Sequence, residues 1–241
     1  MPSKKEAKIS YFSLMKKRLV VLTGAGISAE SGIKTFRDAD GLWEGHDIYE
    51  VASPEGFRAN PELVLDFYNQ RRKQLLEVSP NEAHFNLVKL EEHFQVDIIT
   101  QNVDDLHERA GSSNVLHLHG ELLKARSTAH EHLVYNWDSD ITLGSLCEQN
   151  SQLRPHIVWF GEDVPMLEKA VEITLQADIL VIIGTSMQVY PAASLIDYAP
   201  ENTPIYFIDP KPAMSSNSMN NLTIIKDVAS LGTDKLIEHL I

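Results

Sequence analysis

Two imidazoles stand two residues apart in Val115-Leu116-His117-Leu118-His119. In an extended segment that spacing puts both on one face. A ring that is neutral near pH 7 can take a proton from a hydroxyl group. The same pair also fits a His-x-His metal site, or two histidines that merely face solvent. A second group is Thr100-Gln101-Asn102-Val103-Asp104-Asp105, which follows an apolar run. At the carboxyl edge of a sheet, the amides of Gln101 and Asn102 and the carboxylate of Asp104 could bond a ribose and a carboxamide. It fits a polar strand-to-helix turn as well, with Asn102 or Asp104 as the N-cap. A third group, Gly24-Ala25-Gly26-Ile27-Ser28-Ala29, matches the dinucleotide fingerprint in its alanine form. There the glycines permit a tight turn and a close approach of backbone to a pyrophosphate.

The elements that must position these groups are short β-branched runs separated by helical patterns. The runs are Arg18–Thr23, Val96–Thr100, Asp178–Gly184 and Pro204–Asp209; the helical patterns cover Asn60–Val78, Pro80–Glu92, Asp104–Ala110 and Pro165–Ala177. Continuous apolar strands alternating with helices predict an α/β, doubly wound (Rossmann-like) parallel sheet. The stretches Lys34–Gln74 and Lys124–Pro155 break the alternation and read as a smaller, discontinuous lobe. The expected division is a Rossmann-like part over about 14–33, 79–123 and 156–241, with the small lobe over about 34–78 and 124–155. A dehydrogenase would carry an acid ~20 residues beyond the glycine loop, at the end of a second strand. Thr35-Phe36-Arg37-Asp38 follows instead, which argues against hydride chemistry.

Composition narrows the partners. With 21 Lys and Arg against 34 Asp and Glu, the net charge of −13 opposes a phosphate backbone, so no nucleic acid is expected. It weakly favours basic partners such as lysine-rich segments, or serves solubility alone. No apolar run approaches the ~20 residues of a membrane-spanning helix. The N-terminus does not read as a secretory signal. The single cysteine, Cys147, excludes an intramolecular disulfide and fits a reducing, cytoplasmic setting. Oligomeric state is left open.

Taken in order, five blocks resemble the sirtuin family: Gly24–Trp43, Thr100–His107, Leu118–Glu121, Val158–Glu162 and Gly184–Ser186. The resemblance covers nearly the whole chain. It implies an NAD-consuming protein-lysine deacylase with NAD as co-substrate and acylated lysine-containing proteins or peptides as partners. It singles out His119 as general base and has Gln101, Asn102 and Asp104 hold the nicotinamide and its ribose. By the same resemblance Gly24, Ala25, Gly26, Ala29, Phe36, Arg37, Val103, Gly184, Thr185, Ser186, Asp209 and Ala229 line the dinucleotide. Asparagine is usual near Asp209, and proline at Lys34. Val158, Phe160 and Gly161 resemble the segment along which an extended peptide pairs. The implied chemistry releases nicotinamide and free lysine and yields O-acyl-ADP-ribose. Mono-ADP-ribosyl transfer, and a non-enzymatic NAD- or acyl-peptide-binding module, are the alternatives.

Two finer expectations concern the small lobe. Val64, Tyr68, Arg71 and Leu75 form one helical stripe, and Arg72 beside it reads as solvated. Tyr68-x-x-Arg71 resembles the sirtuin branch acting on acidic acyl groups, where a guanidinium and a phenol can grip a carboxylate such as that of succinyl- or malonyl-lysine. An internal salt bridge of Arg71, with Tyr68 as plain core, is the competing reading. Most sirtuins carry two Cys-x-x-Cys pairs for structural zinc. The corresponding positions here are Ser127, His130, Cys147 and Asn150, so no structural zinc is expected. Leu133, Tyr135, Trp137, Ile141, Leu143 and Leu146 are the candidates to hold the lobe by packing.

Overall fold

The run Arg18–Thr23 forms strand β1, and every residue after Arg18 is buried. The computed structural model describes residues 16–34, 42–43, 45–213, 215 and 219–241. Within them follow β2 (Leu42–Trp43), β3 (His46–Asp47), β4 (Gln95–Thr100), β5 (Val115–His117) and β6 (Gly120–Ser127). After these come β7 (Val134–Asn136), β8 (Leu153–Ile157), β9 (Ile179–Ile183), β10 (Ile205–Ile208) and β11 (Leu222–Ile225). Six of them make one parallel sheet in the order β5-β4-β1-β9-β10-β11. Sequence neighbours diverge between β1 and β9, and the loops leaving those two strands open a crevice, the usual ligand site of such sheets.

Alternation along β1 explains why the sheet is covered on both sides. Leu19 and Val21 face one cluster with Leu87 and Leu90 of the helix Glu82–Leu90 and Leu236 of the helix Ala229–Leu240. Val20 and Leu22 face another, with Ala170 and Ile173 of the helix Leu167–Thr174. These four β1 side chains are at most 1% exposed. Removing each from water contributes about 1.5–3 kcal/mol before chain entropy is counted.

A three-stranded antiparallel sheet, β7-β6-β8, lies apart from this one. The helix Pro61–Glu77 packs against it, capped by the Asn60 side chain on the Leu63 N–H, with proline in its first turn. Its apolar stripe, Val64, Tyr68 and Leu75, joins Leu106, Leu122, Ile157 and Trp159 in a cluster. β6 starts at Gly120, so its first residues fall on the far side of the boundary expected near 123.

Several local expectations need correction. Arg72 is buried, not solvated: it is 1% exposed, its Nε donates to the Leu122 carbonyl at 3.1 Å and Nη1 to Asn69 Oδ1 at 2.8 Å. Burial lowers its pKa to about 10. A stripe of apolar residues does not reveal a guanidinium that finds its oxygens across a lobe. Leu143 and Leu146 are 49% and 51% exposed and do not pack in the lobe, whereas Ile141 does, with Leu65, Ala125, Cys147 and Leu153. Two elements, β11 and the helix Ala229–Leu240, have no counterpart in the sequence reading; β11 is only four residues long and its Thr223 is exposed.

Candidate active site at the β1–β9 crevice

The glycine loop closes on β9 rather than on a long helix. Gly24 N–H donates to the Ile183 carbonyl at 3.0 Å, and Gly26 N–H to that of Gly184 at 2.8 Å. A Cβ at Gly24 would stand 2.8 Å from Thr185 Cβ, and one at Gly26 would stand 2.5 Å from Gly184 Cα. Both glycines are therefore demanded by the contact of two strand-end loops. The helix expected after them is two single 3₁₀ turns, Ala25–Ile27 and Ala29–Ser31. Ala29 is exposed, so the helix–strand packing that usually keeps the third fingerprint position small is not made here. Thr185 is buried and Ser186 half-buried. Asp209, past the end of β10, is 3% exposed and its Oδ1 accepts the Lys211 N–H at 2.7 Å. Ala229 opens the last helix, where the Ser230 N–H and Oγ–H both donate to Glu30, at 2.9 and 2.6 Å. Phe36 and Arg37 lie outside the described residues.

β4 delivers the polar block to the same crevice. Gln101 Nε2 donates to Thr185 Oγ1 at 3.1 Å, tying the β4 loop to the β9 loop. Asn102 Nδ2 donates to Ser28 Oγ at 3.1 Å, and Ser28 Oγ donates to Asp104 Oδ2 at 3.0 Å. Ser28, fully buried, is thus the hinge of the block, a role nothing in its spacing announced. Asp104 also accepts the Leu106 N–H through Oδ1 at 3.2 Å, so the turn-capping reading and the site reading hold together. Burial raises the Asp104 pKa, against the lowering effect of those two bonds. Val103 is half-buried, and its carbonyl accepts the Leu122 N–H at 2.8 Å. Beneath the block, Thr23 Oγ1 and His107 Nε2 are 3.1 Å apart, both fully buried.

β5 ends at His117, so His119 stands in the connection to β6 and not on the strand expected to carry both rings. The rings nonetheless hang from consecutive carbonyls: His117 Nδ1 lies 3.1 Å from the Asn102 oxygen and His119 Nδ1 lies 3.0 Å from the Gln101 oxygen. A carbonyl only accepts, so His119 Nδ1 carries its proton and Nε2 keeps a lone pair. Burial lowers the His119 pKa, against a smaller opposing effect of the Gln101 bond, which keeps the ring neutral at pH 7. The chain escapes past His119 only because Gly120 takes φ +83°, where a side chain would also collide with the His156 carbonyl. The His119 carbonyl accepts the Val158 N–H at 2.9 Å. One residue thereby joins the dinucleotide-type loops to the Val158–Glu162 segment.

That arrangement has known counterparts. The Sir2 family model matches residues 24–191. The chain belongs to the Sir2 family. A protein of Helicobacter pylori (strain ATCC 700392 / 26695) named NAD-dependent protein deacylase is 62% identical over 225 residues, 93% of this chain and 98% of that one. A namesake from Bacteroides thetaiotaomicron is 51% identical over 231 residues, covering 93% and 98%. Among solved structures, a Sir2 homologue in complex with NAD superposes with a TM-score of 0.82 at 38% identity, covering 98% of this chain and 94% of the other. A mutant Sir2 homologue with ADP-ribose gives 0.84, also at 38% identity, covering 99% and 96%.

In this Sir2 chain the segment after β8 is stapled down. Phe160 N–H donates to the Ala52 carbonyl at 2.9 Å and Trp159 N–H to Glu162 Oε2 at 2.8 Å. Phe160 is 39% exposed beside Tyr49, and Gly161 is exposed with φ +90°. Arg154, held by Glu162 at 2.6 Å, lies over the Trp159 ring, 3.2 Å from its centroid. Trp159 Nε1 in turn donates to the fully buried Tyr68 hydroxyl at 3.0 Å. Arg71, three residues on, stands over the Phe67 ring at 4.7 Å and lines a cleft of about 350 Å³ with Lys34 and Lys73.

The four positions matching the family's zinc ligands do not form a donor set. Ser127 Oγ accepts the N–H groups of Ala129 and His130 at 3.2 and 3.1 Å, and Cys147 Sγ lies 3.5 Å from it. His130 is exposed, its ring 6.2 Å from that of His132. Asn150 adopts φ +59° and donates its N–H to the Cys147 carbonyl at 2.9 Å. A serine hydroxyl and a carboxamide are poor zinc ligands, so this set does not fit the metal. Among the described residues, no group of three or more His, Cys, Asp or Glu is placed to hold one.

Proposed function

We propose that this chain removes acyl groups from protein lysine side chains at the expense of NAD, with His119 as general base. The observation that carries the reading is the double tether of His119. Its ring hangs from Gln101, which is tied to the β9 loop, while its main chain bears the Val158 segment. The crevice suits a dinucleotide, with two glycines in contact with the facing loop and buried Ser28, Asn102, Asp104 and Thr185 around it.

NAD supplies a ribose carbon from which nicotinamide departs, and it ends as O-acyl-ADP-ribose. The remaining tasks belong to the protein. The Gly24–Gly26 and Gly184–Ser186 loops cradle the diphosphate side, with Ala25, Ala29, Phe36 and Arg37 beside them and Asp209 and Ala229 toward the adenosine. Gln101, Asn102, Val103 and Asp104 border the nicotinamide ribose, and Ser28 fixes the Asn102 amide and Asp104 carboxylate relative to each other. His119 Nε2 accepts the ribose hydroxyl proton. Val158, Phe160 and Gly161 lie along the incoming peptide, which presents its acyl-lysine across from the imidazole.

Tyr68 and Arg71 extend the reading to acidic acyl groups, alongside acetyl. The Tyr68 oxygen accepts from Trp159, so toward a carboxylate the phenol acts as donor. Arg71 shares its cleft with Lys34 and Lys73, a cationic rim for an anionic tail. We read the antiparallel sheet as the metal-free counterpart of the family's zinc lobe, with Ser127 Oγ gathering the knuckle. The lone Cys147 supports a cytoplasmic address, and among the described residues no helix is long and apolar enough to cross a membrane.

The test is incubation with NAD and acetyl- or succinyl-lysine peptides, following peptide mass and nicotinamide release. Loss of the acyl mass together with release supports the reading, and His119→Ala should slow it about 10²–10⁴-fold. A target that gains ADP-ribose, or binding without turnover, would replace it.

A further inference from the structure

His117 is absorbed by none of the roles above, yet its surroundings dictate its charge. Its Nδ1 faces the Asn102 carbonyl at 3.1 Å, and its Nε2 faces Glu108 Oε1 at 2.7 Å. Both oxygens only accept, so both ring nitrogens must donate, and only the imidazolium does that. A neutral ring would turn a lone pair onto one of the two. The His117 side chain is 9% exposed, against 41% for Glu108. The Asn102 carbonyl it holds is adjacent in the chain to the Gln101 carbonyl that orients His119.

We propose that His117 is a positioning residue for deacylation: its doubly protonated ring, gripped between Glu108 and the Asn102 carbonyl, fixes the Gln101–Asn102 backbone and so the aim of His119. This rests on the reading of His119 as the base. The two imidazoles act as a charged and a neutral member on successive carbonyls. Burial opposes the His117 charge, while Glu108 and the Asn102 carbonyl favour it, and the group's pKa is raised. The other ionisable groups facing it are Asp104 on the preceding loop, His107 on the helix Leu106–Ala110, and Glu121 on β6. Lys124, also on β6, acts on Glu108.

The experiment combines NMR titration of the His117 ring in the full-length protein with pH–rate profiles of NAD-dependent deacylation. It uses the native chain, Glu108→Gln and His117→Leu. In the native chain His117 should titrate above pH 6.5. Glu108→Gln should lower that titration by about one unit or more, and the alkaline limb of kcat should move down with it. His117→Leu should lower kcat about 10- to 100-fold with a much smaller change in the peptide KM. A native His117 that titrates below 6.5, or a rate profile that stays put while the ring's titration shifts, overturns the proposal. So does an active His117→Leu with native kcat. A native chain that releases no nicotinamide fails the deacylase reading instead, and the ring's titration then reports on the charged clamp by itself.

Discussion

Replacing Arg71 with Met and Tyr68 with Phe separates acyl recognition from fold, because the two side chains are held differently. Arg71→Met keeps an aliphatic stem on the helix Pro61–Glu77 and forfeits the stacking over Phe67, worth about 0.5–1 kcal/mol of stability. Tyr68→Phe keeps the ring contacts with Phe67 and Trp159 but removes the oxygen that accepts Trp159 Nε1, all in a fully buried setting. That orphaned indole N–H costs about 1–3 kcal/mol of stability, whatever the substrate. A hydrogen bond to a charged group contributes about 1.5–3 kcal/mol, so each variant should reduce kcat/KM for succinyl-lysine relative to acetyl-lysine by roughly 10- to 150-fold. The ratio of the two kcat/KM values on one peptide is the readout, since lost folded fraction cancels in it. Equal losses on both acyl groups would refute the argument and return Tyr68 and Arg71 to the core and to an internal ion pair.

Three further outcomes follow from the geometry. Ser127→Ala strands two N–H groups of the knuckle and should lower stability by about 1–3 kcal/mol in urea unfolding; purified native protein with one tightly bound zinc per chain would contradict the metal-free account. Acid should destabilise the fold. Burial lowers the His84 pKa to about 4, so as pH falls from 6.5 toward 4 the unfolded chain takes up a proton that the folded one refuses, at a cost of about 3 kcal/mol. Buried His107 acts in the same direction, whereas His117, whose pKa is raised, weakens the fold only as pH climbs through its own titration. Urea midpoints at pH 7.5, 6 and 5 should fall in that order, and a flat series would refute this. Gly26→Ala should weaken NAD binding in calorimetry at least about tenfold, because its methyl would push the β1 and β9 loops apart; unchanged affinity would show that the contact is not part of the site.

Much of the frame was legible without coordinates. Arg18–Thr23 reads as a buried strand because both of its faces are covered, so burial erases the alternation and leaves a continuous apolar run. The helix Pro61–Glu77 could be bounded to within a residue, since Asn60 and Pro61 act locally on the first turn. Hydrogen bonds made across the chain were not legible. The Arg72 guanidinium looked solvated because its acceptors, Leu122 and Asn69, come into range only when the helix docks. Ser28 looked like filler in a glycine loop because Asn102 and Asp104 lie more than seventy residues away.

The sequence by itself determined the kinds of groups present: two imidazoles, a block of amides and a carboxylate, and a glycine turn, each at the end of a strand. Composition and spacing are local, and local physics suffices for turns, strands and caps. Only the tertiary structure decided which imidazole is charged and which is neutral. Protonation depends on what faces each nitrogen, and here that is a carboxylate and a carbonyl for His117 but a carbonyl and burial for His119. Those partners are assembled by the pairing of β4 with β5 and by the return of the chain at Gly120, a long-range arrangement that no spacing along the sequence encodes.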